Sequence, residues 1–192
     1  QCNSVLIEQA RIEQFQRDGA ILLPSLIDNH WVERLRGSID RDIAEPGPFY
    51  HGYQIDDGGY FHGNMRLWES DTDFSEYCRD SVLPCVAAQF LEVEAVQLYY
   101  DQLFVKEAGT NAPTGWHNDQ PYWPIRGRPI MSFWLALDTV SKDSGALEFV
   151  KGSHLWGSWF QPKPFAAGGT AYEKNPEFIE MPDIDAQRGE YE

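Results

Sequence analysis

The spacing of hydrophobic residues predicts four helices, all of them in the first half of the chain. Apolar positions recur on one side at helical spacing in each segment, and Gly19 is typical of the position just after a helix. Asp28 or Asn29 can cap the second helix, and Ser81 can cap the fourth. The predicted helices cover residues 7–17, 30–44, 71–78 and 81–91.

Beyond residue 95 the hydrophobic period changes from helical to alternating, which predicts strands. The predicted strands cover residues 96–106, 115–122, 130–137 and 146–150, with one earlier short strand at 20–23. Helices followed by consecutive strands favour an α+β fold, mainly β, with a sandwich or barrel. Residues 46–63 are typical of a long aromatic loop, and long loops of this kind are often functional lids or disordered linkers.

These patterns predict a single domain in three parts. Residues 1–94 form a helical and loop part, residues 95–159 carry the strands, and residues 160–192 are a long connection rich in Pro, Gly and charge. The 192 residues fit one domain with a sizeable core, and 14% aromatic residues suit a packed β core or a cavity lined by rings.

The charge balance limits the classes of partner. Thirty acidic residues against fifteen basic ones give a net charge of −15, which repels phosphate backbones and anionic lipid headgroups. We therefore expect no nucleic-acid partner and no membrane partner, and no apolar run approaches the length of a bilayer span.

The three cysteines do not form a disulfide framework in the sequence. Cys2, Cys78 and Cys85 are odd in number and irregular in spacing. We expect Cys78 and Cys85 to be buried free thiols beside apolar residues. This use of cysteine suits a reducing compartment, so the predicted location is cytoplasmic.

The stretch Trp116-His117-Asn118-Asp119 carries the candidate chemistry. In a strand, residues two apart point to the same face, so the imidazole of His117 and the carboxylate of Asp119 could reach one ion. Two His and one carboxylate on one face of the metal form the facial triad of non-haem Fe(II) oxygenases. A bare His-x-Asp pair is more often a polar surface strand, but this one lies between two strong strands in an aromatic segment.

Five segments of the chain, of which the middle one contains His117 and Asp119, carry a resemblance to a known family. They are FQRDG at 15–19, DQLFVK at 101–106, PTGWHNDQPYWP at 113–124, SFWLALD at 132–138 and SGALEFVKGSH at 144–154. From about residue 15 onward the chain thereby resembles the phytanoyl-CoA dioxygenase family. The resemblance implies a double-stranded β-helix (a cupin-like jelly roll) with N-terminal helices packed on it. It also implies an Fe(II)- and 2-oxoglutarate-dependent dioxygenase that hydroxylates a small organic metabolite and releases succinate and CO2.

By this resemblance His117 and Asp119 are the first two iron ligands and the catalytic residues. Lys106 stands where the family places a basic residue near 2-oxoglutarate, although a solvated lysine at a strand end is the alternative. Trp134 stands where the family has a ring beside the co-substrate, and a core tryptophan is the alternative. Gln102 shares a strand face with Lys106 and could also look into the site.

Further residues are assigned to the substrate or set aside. Tyr122, Trp123 and Phe104 are expected to shape the substrate mouth. By the resemblance His154 closes a strand and is not the distal ligand, so we expect a capping or turn role. Two histidines, His51 and His62, are left open between pocket wall and solvent, and His30 is expected at the surface.

Two elements of the family pattern are not found in the sequence. The third ligand of the family is a later His, followed shortly by an Arg that pairs with the far carboxylate of 2-oxoglutarate. The only His after His117 is His154, so we expect the chain to lack its C-terminal strands. The carboxylate of Asp119 favours hydroxylation, because related halogenases have a small residue at that position.

Two alternatives stay open. A non-catalytic β-barrel binding protein could keep the fold without a complete metal site. A cupin-like metalloenzyme that does not use 2-oxoglutarate is the weaker alternative, because Lys106 and Trp134 argue for the co-substrate.

Overall fold

The computed structural model describes residues 5–55, 59–110, 113–165 and 171–191. Within these ranges the chain forms four α-helices and one antiparallel sheet of three strands, which confirms the α+β class. The prediction that the fold is mainly β is wrong for the described residues, because the helices hold more of them than the strands do. The elements in chain order are α1 (Gln9–Asp18), α2 (Asn29–Ala44), β1 (Tyr53–Gln54), β2 (Tyr60–Met65), α3 (Thr72–Asp80), α4 (Leu83–Leu91) and β3 (Gln102–Lys106).

The four predicted helices are all present, because their start and stop signals are local. Asp28 caps α2 by accepting a hydrogen bond from a backbone N–H of the first turn, and Asp71 does the same for α3. Ser81 accepts one from the Leu83 N–H at the start of α4 (3.3 Å). Gly19 ends α1 with φ of +82°, a left-handed conformation that favours glycine.

Two hydrophobic clusters bury the inner faces of the helices. One cluster joins α2 and α3 to the sheet and consists of Leu35, Leu67, Phe74, Tyr77 and Leu103. The other joins α1 to α4 and consists of Ile12, Val86 and Phe90. The first cluster anchors β3 to the helices, since Leu103 of this strand belongs to the cluster and is only 7% exposed.

An ionic network clamps α2 to α3 beside the first cluster. Asp73 accepts hydrogen bonds from the guanidinium groups of Arg34 and Arg41. The hydroxyl of Ser38, which is 1% exposed, also donates to Asp73 (2.9 Å). Arg34 first and Arg41 second hold the pKa of Asp73 at about 2, below its ordinary value.

The sheet separates a core face from an open face. β2 pairs antiparallel with β1 and β3, and His62 lies opposite Val105 on the core face. Gly63 lies opposite Phe104 on the open face, and the ring of His51 occupies the place where a Cβ of Gly63 would project. The alternating burial of β3 leaves Gln102, Phe104 and Lys106 on the open face, as the sequence predicted.

The prediction of an uninterrupted loop over residues 46–63 is wrong. β1 and most of β2 lie inside this segment. The sequence signal was hidden because Gly63 interrupts the run of β-forming residues in β2, and a strand glycine is typical of a place where another group approaches closely. Here that group is His51.

Most of the predicted strands lack a hydrogen-bonded partner within the described ranges. The strand predicted over 96–106 shortens to β3, and no ladder forms at 20–23, 115–122, 130–137 or 146–150, so those predictions are wrong. Alternation records which side chains could face a core, whereas a strand also needs a neighbouring backbone that offers matching N–H and C=O groups. The segments keep exposed apolar side chains, among them Phe133, Trp134, Leu147 and Phe149.

The cysteines differ from the expectation at one position. Cys78 is free and partly buried, but Cys85 is disulfide-bonded, so the free thiol predicted there is wrong. Cys2 lies outside the described residues. Disulfides are typical of oxidising compartments, so the Cys85 bond does not support the predicted cytoplasmic location, which stays a prediction. Among the helices of the described ranges, none has the length and apolarity needed to cross a bilayer.

Candidate active site

His117 and Asp119 bring a nitrogen and an oxygen to within ion-pair distance. Nε2 of His117 lies 3.1 Å from Oδ1 of Asp119. The strand alternation proposed for this pair is wrong, because Asp119 has helical dihedrals and begins the 3-10 turn Gln120–Tyr122. This turn, favoured by Pro121 in its first positions, directs the carboxylate back toward the imidazole. The two side chains therefore converge by a different local geometry.

The second nitrogen of His117 is held by the backbone. Nδ1 lies 2.7 Å from the carbonyl oxygen of Gly115, so it carries the hydrogen and donates to that oxygen. Nε2 is then the nitrogen that faces Asp119. Metal-binding histidines are commonly oriented in this way, with the distant N–H on a carbonyl and the free lone pair on the ion.

The electrostatics of the pair favour a cation between the two side chains. Burial lowers the pKa of His117, but the hydrogen bonds to Asp119 and Gly115 outweigh burial and raise this pKa above its ordinary value. A neutral imidazole with hydrogen on Nδ1 would set the Nε2 lone pair against a carboxylate, which is unfavourable unless a proton or a metal ion lies between them.

The donor set and its spacing fit one metal ion. Adjacent donors of an octahedral ion with bonds of about 2.1 Å lie about 3 Å apart, which agrees with the observed 3.1 Å. An imidazole with a carboxylate is also two-thirds of the facial triad. Within the ranges that the structure describes, no group of three or more His, Cys, Asp or Glu side chains is placed to share an ion.

Lys106 lies beside the segment that carries His117. Its Nζ donates to Oγ1 of Thr114 (3.3 Å), the residue next to the Gly115 carbonyl that holds His117. Desolvation of the ammonium group lowers the pKa of Lys106. The lysine therefore stands on the open face of the sheet, at its end nearest the loop that leads to the candidate ligands.

The remaining predicted residues are only partly brought together. Tyr122 approaches His117, with ring centroids 5.8 Å apart. Trp123 instead donates its indole N–H to the hydroxyl of Tyr100 (2.8 Å), and Phe104 packs on Phe61 of β2. Trp134 is 46% exposed, so the structure does not bury it as a core residue.

Two aromatic residues at this site were missed by the sequence analysis. Phe165 lies edge-on to the ring of His117, with centroids 4.7 Å apart, and Tyr172 lies edge-on to Tyr122 at 5.2 Å. Both belong to residues 160–192, which were predicted to be a plain connection. The only local signal was an aromatic residue inside a proline-rich stretch, which does not reveal the contact with His117.

The other histidines have separate roles. Nε2 of His154 lies 2.9 Å from the Gln16 carbonyl oxygen and so caps the last turn of α1, which confirms the expected capping role. His62 is buried on β2, where its two nitrogens meet the hydroxyl of Tyr50 (2.5 Å) and the carboxylate of Glu107 (2.9 Å). His30 is exposed in the first turn of α2, as predicted.

Comparison with known proteins gives one match. The family model described as phytanoyl-CoA dioxygenase matches residues 15–186, which is most of the chain. No curated protein matches, and no solved structure matches. The matched range includes His117, Asp119 and Lys106, as well as Phe165 in the connection that follows them. The chain therefore belongs to the phytanoyl-CoA dioxygenase family.

Proposed function

We propose that this protein is a non-haem Fe(II)- and 2-oxoglutarate-dependent dioxygenase that hydroxylates a small organic molecule. Membership of the family supports this class of reaction. The observation that carries the proposal is the convergence of His117 Nε2 and Asp119 Oδ1 at 3.1 Å, with the other imidazole nitrogen bonded to Gly115. This arrangement supports the proposal that both side chains hold one ion.

His117 and Asp119 are the proposed iron ligands, and each has a stated task. The Gly115 carbonyl keeps hydrogen on Nδ1, so that Nε2 offers its lone pair. The Asp119 carboxylate contributes a negative charge that partly neutralises a divalent ion. Bound Fe(II) and 2-oxoglutarate would supply the oxidising chemistry, with release of succinate and CO2. A carboxylate at Asp119 supports hydroxylation, since a halogenase needs that coordination position for a halide.

Lys106 is the proposed partner of a 2-oxoglutarate carboxylate. An ammonium group forms a charge-assisted hydrogen bond with a carboxylate, and its partial desolvation strengthens such a bond. Gln102 shares the open face of β3 with Lys106 and is proposed to line the same space. For Trp134 we propose a place beside the co-substrate, and for Tyr122, Trp123 and Phe104 a place at the substrate mouth.

The proposed scaffold is the double-stranded β-helix of the family. Family membership supports this architecture, and the three-stranded antiparallel sheet with helices packed on one face is compatible with it. The proposed domain is single, with residues 1–94 as the helical and loop part, residues 95–159 as the segments that would form the first half of the β-helix, and residues 160–192 as its connection; in the described part of 95–159, β3 is the segment that forms a ladder. The proposed partner is a small organic substrate, and the net charge of −15 argues against nucleic acid.

A non-catalytic binding protein of the same fold is the second candidate. One observation favours it: in the described part of the chain, no third His, Cys, Asp or Glu joins His117 and Asp119. Two ligands hold Fe(II) weakly, so this candidate predicts that the purified protein neither contains nor takes up iron.

One experiment separates the two candidates. The purified protein is assayed for succinate release with Fe(II) and 2-oxoglutarate, and its iron content is measured. The dioxygenase proposal predicts iron uptake and succinate release. Release should fall about 100-fold or more in Asp119→Ala, because loss of a group that merely hydrogen-bonds to a metal ligand already lowers metal affinity or activity by about 10–100-fold. The control variant is Asp138→Ala, which removes an exposed carboxylate that pairs with Arg36. Release that is the same in both variants would remove the ligand role of Asp119.

A further inference from the structure

Two aromatic rings pack against His117 on the side of the 160–192 connection, and a third ring packs behind one of them. The ring centroids of His117, Tyr122 and Phe165 form a triangle with sides of 4.7, 5.1 and 5.8 Å. Tyr122 and Phe165 are stacked with an interplanar angle of 21°, and Tyr172 closes the group edge-on to Tyr122. We name Tyr122, Phe165 and Tyr172 the aromatic wall.

Tyr122 fixes the chain segment that carries Phe165. Its hydroxyl donates to the carbonyl oxygen of Lys163 (2.8 Å) and accepts from the backbone N–H of the same residue (3.1 Å). Both backbone groups of one residue are therefore bound by a single side chain, two positions before Phe165. Because Tyr122 also follows Asp119 closely in the chain, the wall and the candidate ligands are positioned by the same turn.

The aromatic wall still presents free apolar surface beside the candidate ligands. Phe165 is 49% exposed and Tyr172 is 47% exposed, although both rings pack against the site on one side. No member of the wall carries a charge, and the neighbouring carboxylate of Asp119 is bound to His117. A planar apolar group can extend such a set of rings by offset stacking or by edge-to-face contact.

The net charge of the protein disfavours one class of occupant. A protein with a net charge of −15 repels an anionic substrate. A neutral ring has no such penalty, and it gains both apolar burial and ring–ring contact. The occupant that the wall favours is therefore a neutral compound with a planar aromatic portion.

We propose that Phe165, held in place by Tyr122, is a specificity-determining residue that binds a planar aromatic portion of a neutral substrate against His117. This inference rests on the proposed function, because it names the substrate class of that site. Phe165 selects the ring by stacking, and Tyr122 acts as a positioning residue through the Lys163 backbone.

Two probes of equal carbon skeleton test the proposal. 2-Naphthylmethanol is planar and aromatic, whereas decahydro-2-naphthylmethanol is saturated and puckered. Binding of each is measured by isothermal titration and by saturation-transfer NMR, first without metal and then with Fe(II) and 2-oxoglutarate. We expect tighter binding of the naphthyl compound, and Phe165→Leu should weaken that binding about tenfold while it removes the preference. Phe165→Tyr should keep the preference.

Two further variants complete the design. Tyr122→Phe keeps the ring but loses both hydrogen bonds to Lys163, so naphthyl binding should weaken by a smaller factor than in Phe165→Leu, about threefold, because the ring stacking is retained. Phe178→Leu removes a ring that stacks on Trp159 in the same connection and should leave the preference unchanged. Equal binding of the two probes to the unaltered protein, or a preference that survives Phe165→Leu, would overturn the inference.

The outcomes also separate this inference from the proposed function. A Phe165-dependent preference in a protein that releases no succinate would support the wall and refute the dioxygenase. Asp119-dependent succinate release without a Phe165-dependent preference would support the dioxygenase and refute the aromatic wall as the substrate-selecting surface. Thermal unfolding of each variant shows whether a loss of binding comes from loss of the fold, and the ratio of the two probe affinities is insensitive to a simple loss of folded protein.

Discussion

The clamp between α2 and α3 makes a quantitative prediction about stability and pH. Asp73 has a pKa of about 2 against an ordinary 3.8, so at neutral pH its charged form stabilises the folded state by up to about 2.4 kcal/mol, at 1.36 kcal/mol per pH unit. The side chain is 22% exposed, so solvent screens part of this energy. We therefore expect Asp73→Asn to lower the free energy of unfolding by about 1–2 kcal/mol at pH 7.

The sign of the pH dependence follows from the lowered pKa of Asp73. The stabilisation is complete above the ordinary value of 3.8 and is lost as the pH falls toward about 2, because the carboxylate is then protonated in both states. The difference between the unaltered protein and Asp73→Asn should thus be constant above about pH 5 and shrink between about pH 4 and pH 2.

Urea unfolding at a series of pH values, followed by circular dichroism, measures this difference. The matched control is Asp138→Asn, which alters the ion pair between Asp138 and Arg36. The Asp138 side chain is 84% exposed, so this substitution should change the free energy of unfolding by less than about 0.5 kcal/mol. The reasoning about the clamp would be refuted if both variants lost the same free energy, or if the Asp73→Asn difference did not shrink in acid.

Three further predictions concern the site and its support. Lys106→Met should raise the KM for 2-oxoglutarate about tenfold or more in the succinate assay, because a charge-assisted hydrogen bond is lost; an unchanged KM would exclude the carboxylate contact. Leu35→Ala should lower the free energy of unfolding by about 2–5 kcal/mol in urea, since Leu35 is 2% exposed, and a loss below 1 kcal/mol would contradict its core position. His62→Phe should cost about 1–3 kcal/mol by the same measurement, because it removes the hydrogen bonds to Tyr50 and Glu107 from a buried site; Tyr50→Phe should cost less.

Local features of the sequence determined the helices and the identity of the candidate ligands. Each helix has its own periodic apolar face, and the capping carboxylates of Asp28 and Asp71 lie one residue before the helix that they begin. His117 and Asp119 are two residues apart, a spacing that brings both side chains together in an extended strand and also in the turn that the structure has. By the resemblance His154 was expected in a capping or turn role, and the structure places it in a 3-10 turn with Nε2 on the Gln16 carbonyl oxygen of α1.

Only the tertiary structure decided which extended segments pair and which distant rings reach the site. β2 and β3 are separated by two helices, and their pairing depends on backbone partners that no single segment specifies. Likewise, Phe165 reaches His117 because Tyr122 binds the backbone of Lys163, a contact across 41 positions. Periodicity reports the face that each segment presents, whereas the choice of neighbour depends on how all faces are buried together, which is a property of the whole chain.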